Sequence, residues 1–173
     1  MSDHAQKRLI DVERALLGAL LVQSDRLLDI VGQVQPEHFF RLAHQHLYRG
    51  IVDVWQAREP VDYLTVQAWL SRRGLVDAVG GVGYLAGLTD GLPKTTAERV
   101  QWAAGEVRKA WALRQVRDLA AKLEAAAADS DTDPAALIRE AETTLADLAV
   151  GREDVTFTAI GETVVAASRR LAA

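Results

Sequence analysis

The stretch VGGVGYLAGLTD, residues 79–90, puts Gly81, Gly83 and Ala86 in the spacing G-x-G-x-x-A, a pattern that can bring backbone amides up to a dinucleotide pyrophosphate. That chemistry needs a buried parallel strand running into the first glycine and an acidic residue about 20 positions further on. Only LVDAV precedes it, interrupted by Asp77, and the downstream stretch TTAERVQWAAGEV has helical texture. A glycine-assisted turn into a short helix, GYLAGLTD, is the expectation. GLPKT fails in the same way: a phosphate loop needs glycines where Leu88 and Pro93 stand.

The remaining reactive side chains form no constellation either. His44 and His46 point about 200° apart on a helix and cannot share one ion. No serine sits in G-x-S-x-G; Ser24, Ser71 and Ser168 suit a cap, a helix end and a solvent-facing position. Acids are spread along helix faces. Arg108, Lys109, Arg114 and Arg117 make a short basic stretch around Trp111, fit for weak phosphate contact at most. No catalytic, metal or cofactor residue is therefore assigned. His38, beside Phe39 and Phe40, is read as part of a structured corner whose rings plug the core.

Composition bounds the rest. With 173 residues the chain holds one sizeable domain or a smaller one with an extension, and 49% hydrophobic against 25% charged residues suits a folded globular protein. A net charge of −4 argues against a surface built to neutralise phosphates. No cysteine is present, and no apolar run approaches the roughly 20 residues that span a bilayer. A soluble, cytoplasmic protein without a membrane or strong nucleic-acid partner is expected.

Helical periodicity fills almost every segment. Val12, Leu16, Ala19, Leu20 and Gln23 make one stripe, and Ser24 is placed to cap DRLLDIVGQV. After Pro36, a helix with Leu47, Ile51, Val54 and Trp55 on one face should run to Pro60. Asp62 is placed to cap a third helix with Leu64, Ala68 and Leu70 facing inward, closed by Gly74. Thr95–Ala128 reads as one long helix whose apolar row changes side: Val100, Ala104, Val107 and Trp111 first, then Leu113, Val116, Ala120, Leu123 and Ala127 about half a turn away.

Beyond the connector DSDTD, Asp133 and Pro134 start a helix with Ile138, Ala141, Leu145 and Leu148. Two thin, alanine-rich stripes bury little area, so this hairpin is expected to pack against another copy or a partner as well; a two-helix extension satisfied within its own domain is the alternative. Ile160, Val164, Ala167 and Leu171 line a last helix behind GREDVTFT, and a short tethered helix gains stability only by docking. Its end at SRRLAA carries no stop signal, which points to the front part of a longer protein.

The order and wording of these elements resemble the N-terminal domain of the bacterial replicative helicase family, DnaB. The matching landmarks are Glu13, Leu17, Gly18 and Leu21, then His38, Phe39 and Phe40, then His44 and Leu47. Pro60 to Val66 (PVDYLTV) and Gly74 to Leu88 (GLVDAVGGVGYLAGL) follow in register. The stretch PKTTAERVQWAAGEV departs from the family, which usually carries an asparagine and a tyrosine there.

The resemblance implies an all-α chain: a globular helical bundle, a helical hairpin and a tethered linker helix. We divide it as 1–8 flexible start, 9–105 globular subdomain, 106–150 hairpin, 151–157 linker and 158–173 linker helix. In the family six such domains form a collar, a trimer of dimers, where the primase C-terminal domain docks and a loader can bind. The linker helix packs on the motor domain of the adjacent subunit. The motor with its ATP and Mg site is absent from this chain, so no activity is expected of it. The expected protein interface comprises Trp111, Leu113, Val116, Leu119, Leu123, Ile138, Leu145, Leu148, Ile160, Val164 and Leu171. A standalone helicase-binding adaptor, or a primase-type helicase-binding domain, is the alternative function.

Overall fold

The computed structural model describes residues 3–91, 94–129 and 131–148. The first apolar stripe folds as α1, Asp3–Val22, which buries Leu9, Leu16, Leu17, Leu20 and Leu21 together with one acid, Glu13. Residues 3–8, expected as a flexible start, belong to this helix. Ser24 does not cap the next segment. It lies inside a 3-10 helix, Ser24–Asp29, preceded by Gln23, whose side chain makes no capping bond. The tighter winding turns Leu27 into the core and leaves Leu28 66% exposed.

A second 3-10 turn, Pro36–His38, leads into the corner that seats Phe39 in the core. Helix α2, Leu42–Gln56, buries Leu47, Ile51 and Val54, as its periodicity predicts. It stops four residues ahead of Pro60, because Arg58 takes a left-handed backbone with φ of 59°. Gly50 of α2 brings its backbone so close to the Trp69 ring that a Cβ there would sit 2.9 Å from it.

Asp62 caps α3, Tyr63–Arg72, as expected: its carboxylate accepts from the Thr65 amide at 2.9 Å, and the Thr65 hydroxyl accepts from the Asp62 amide at 3.1 Å. The inward face differs from the expected one. Leu64 is 70% exposed and Ala68 is exposed, while Val66, Trp69 and Leu70 face the core. Moving the stripe by one or two residues costs nothing in periodicity, and the wide Trp69 ring takes the central place. Gly74, Gly80 and Gly81 all have positive φ and turn the chain into α4, Gly81–Thr89.

Helix α5, Ala97–Ala127, is one unbroken helix. Its first turns bury Val100, Ala103, Ala104 and Val107. A further helix, α6, occupies 134–148. The architecture is all-α, with no strand among the described residues, and no described helix is long and apolar enough to cross a membrane. The chain divides into two compact units, Met1–Trp111 and Ala112–Ala173. The first holds a single core built from α1 to α4 and the start of α5.

Candidate protein interaction site

Chemistry inside the first unit converges on Glu13. Both Glu13 and His44 are wholly buried. The Phe40 amide donates to Glu13 Oε1 at 2.5 Å, and His44 Nδ1 lies 2.6 Å from Glu13 Oε2. The other imidazole nitrogen, Nε2, is 2.6 Å from the Tyr84 hydroxyl. Whichever partner holds the shared proton, both carboxylate oxygens and both ring nitrogens are satisfied, the condition under which a buried polar group is tolerated.

This Glu–His–Tyr chain has the residue types of a proton relay, yet its acid and its imidazole have no solvent access and so no room for a reacting substrate. It ties α1, the corner, α2 and α4 together. Spacing alone could not have found it, because its members lie 31 and 40 residues apart. One signal was available: Glu13 falls within the apolar stripe of α1, between Leu9 and Leu16.

The glycine spacing does not stand in a strand–turn–helix unit. Gly81, Gly83 and Ala86 lie within α4, no strand leads into them, and the Gly81 amide donates to the Val76 carbonyl at 2.9 Å. Among the described residues no three His, Asp or Glu side chains are grouped to hold a metal. An open cleft of about 420 Å³ lies between the ends of α2 and α3, lined by Asp53, Gln56, Glu59, Trp69, Arg72 and Arg73. Arg73 already covers the Trp69 ring at 3.9 Å and approaches Asp53 at 3.8 Å.

The expected interface residues divide into three groups. Trp111 closes the first unit: it is half-buried, with its ring 4.5 Å from that of His38. In the second unit the covered face of α5 is Ala112, Gln115, Leu119, Leu123 and Ala126, of which Leu119 is the most buried at 8% exposure. At 100° per residue this face lies about a quarter turn from the buried row of Val100 to Val107, whereas the sequence pattern suggested half a turn. The half-turn position is taken by Leu113, 50% exposed, Val116, 45%, and the exposed Ala120 and Ala127. Helix α6 repeats the arrangement. Leu137, Ala141, Thr144 and Leu148 are half-buried, while Ile138 at 58% and Leu145 at 48% stand out beside them. Ile160, Val164 and Leu171 lie outside the described residues.

Each helix of the second unit thus carries two apolar rows, one covered and one in solvent. An exposed row of leucine, isoleucine and valine on an otherwise charged helix is a surface that gains by meeting another apolar surface.

Comparison with known proteins identifies the family. The family model for the DnaB-like helicase N terminal domain matches residues 5–108. Replicative DNA helicase DnaC of Bacillus subtilis (strain 168) is 27% identical over 165 residues, covering 95% of this chain and 36% of that protein. Replicative DNA helicase DnaB of Mycobacterium leprae is 36% identical over 104 residues, covering 60% of this chain and 17% of the relative. The crystal structure of the N-terminal domain of DnaB helicase from Mycobacterium tuberculosis superposes with a TM-score of 0.70 at 30% identity, covering 80% of this chain and 96% of that one. A structure described as a DnaB-like replicative helicase and its interactions with primase shares the fold at 20% identity, with a TM-score of 0.61 over 88% of this chain and 36% of that one. The chain spans little more than a third, or less, of the length of these full-length helicases.

Proposed function

The chain belongs to the DnaB-like helicase N-terminal domain family, and from that premise we propose that it is the non-catalytic collar of a hexameric replicative helicase, joining subunits and receiving primase or a loader. The observation that carries this reading is the solvent-exposed apolar row of Leu113 and Val116 on α5 with Ile138 and Leu145 on α6. In a lone molecule this row costs solubility and stabilises nothing. Against a second copy it supplies the buried area that two thin helices lack.

In this reading residues 9–105 form the globular body and 106–150 the pairing hairpin. Residues 158–173, with Ile160, Val164 and Leu171, reach the motor domain of the adjacent subunit. ATP and Mg belong, in this reading, to that motor. Docking of primase is suggested by the neighbour whose description includes it. The setting is the cytoplasm.

Light scattering over a range of concentrations tests the assembly role. The parent chain should form dimers or larger multiples. Leu113→Glu with Val116→Glu should be monomeric with an unchanged circular dichroism spectrum, since both positions are exposed. A parent chain that stays monomeric at high concentration would sink the reading.

A further inference from the structure

The exposed apolar rows of α5 and α6 bear a fixed relation to the covered ones. On α5 the covered Ala112, Gln115, Leu119, Leu123 and Ala126 centre about a quarter turn from the exposed Leu113, Val116, Ala120 and Ala127. On α6 the exposed Ile138 and Leu145 lie about a quarter turn, in the same rotational sense, from the covered Leu137, Ala141, Thr144 and Leu148. The short connector 128–133 suits antiparallel neighbours. Antiparallel helices joined through their covered rows turn both exposed rows to the same side, a shallow groove lined by Leu113, Val116, Ile138 and Leu145.

We propose that this groove takes residues 158–173 of the same chain, which lie outside the described residues, and that a second copy must displace them to reach it. In the reading above, on which this one rests, the groove joins copies; here it also has a resident beforehand.

The pattern of the segment fits that place. At 100° per residue Ile160, Val164, Ala167 and Leu171 fall within about 60° of one another, and Glu162 and Arg169 fall opposite them. Ile160 to Leu171 corresponds to about 16 Å of helix, against about 21 Å from Leu113 to Ala127. Residues 149–157 can span up to about 30 Å, and packed helices lie only about 8–10 Å apart, so the chain can turn back after Leu148. A segment on so short a tether acts at roughly millimolar effective concentration, ahead of a second copy in dilute solution.

Charge fixes the direction. Turning back after Leu148, the segment runs the same way as α5 and brings Arg169 and Arg170 to the end of the hairpin where Glu124, Asp129, Asp131 and Asp133 are exposed. Lys122 and Arg139 offset part of that charge and leave the end acidic. When a second copy takes the groove, the apolar face of 158–173 is released for another surface.

The chain has no cysteine, so Ala172→Cys gives a single attachment point for a nitroxide. In NMR spectra of the isotope-labelled full chain this nitroxide should broaden the signals of Ile138 and Ala127 strongly and those of Leu113 and Leu145 less, because the segment ends at the acidic end of the hairpin. Leu113→Glu with Val116→Glu should abolish the broadening, and so should Val164→Glu with Leu171→Glu. Broadening that is absent, that survives both pairs of substitutions, or that falls on the first unit instead overturns the proposal. So does broadening of the labelled parent chain by an equal amount of unlabelled, nitroxide-bearing chain, since it places the segment on another copy. Light scattering separates the two readings. Val164→Glu with Leu171→Glu should tighten self-association roughly fourfold, the effect of a groove closed about half the time in each of two partners. Equal or weaker association in that variant overturns the displacement step. If neither chain associates, the broadening decides alone and only the assembly reading falls.

Discussion

Removing the Glu13 side chain would take from the wholly buried His44 the carboxylate at its Nδ1, and from the Phe40 amide its bond to Oε1. Breaking a buried pair from one side costs far more than the pair contributes as a whole, so Glu13→Ala and His44→Ala should each lower stability by roughly 3 kcal/mol in urea unfolding. The double variant should lose less than the sum, because the second deletion removes the group that the first one stranded. Tyr48 offers a pH test. Burial drives its hydroxyl far above the usual 10.0, so the unfolded chain releases that proton first and stability falls as pH climbs past about 10. Tyr48→Phe removes this contribution. Its urea midpoint should therefore drop less than the parent's between about pH 9 and pH 11. The partners of Glu13 could not be read from spacing, since helical periodicity relates residues within one turn or two and says nothing of a corner 27 residues away.

Local chemistry was legible where a short-range bond decides the structure. The Asp62 and Thr65 pair closes α3 through contacts three residues apart, and Gly74 supplies the left-handed turn at its end. Asp62→Ala should cost about 1 kcal/mol, measured as a lower urea midpoint with unchanged helix content. Pairing of elements was less legible. Leu64 and Val66 fit the helical repeat equally well, and only the seat that Gly50 opens for the Trp69 ring chooses between them. The same holds for α5. Its second apolar row is present in the sequence, but whether that row is covered or free depends on which neighbour lies beside it. The face that is covered carries Gln115 among its members, a residue that no hydrophobic pattern would select.

At the scale of the molecule, the two rows on α5 separate folding from association and so can be tested apart. Leu119 is 8% exposed and Leu113 50% exposed on the same helix, six residues apart. Truncating a buried leucine removes transfer energy and leaves a void, a loss of about 2 kcal/mol or more, whereas truncating an exposed one changes little in a lone chain. If Leu113 meets a second copy, the melting temperature of the parent must rise with protein concentration, because a partner that binds only the folded state stabilises it by mass action. Leu113→Ala should flatten that dependence while leaving the dilute-limit melting temperature in place. Leu119→Ala should lower the melting temperature at every concentration and keep the slope. Calorimetric scans at several dilutions distinguish the two. Equal effects of the two variants would mean that the exposed row has no partner, and the apolar pattern of α5 would then have to be explained without assembly.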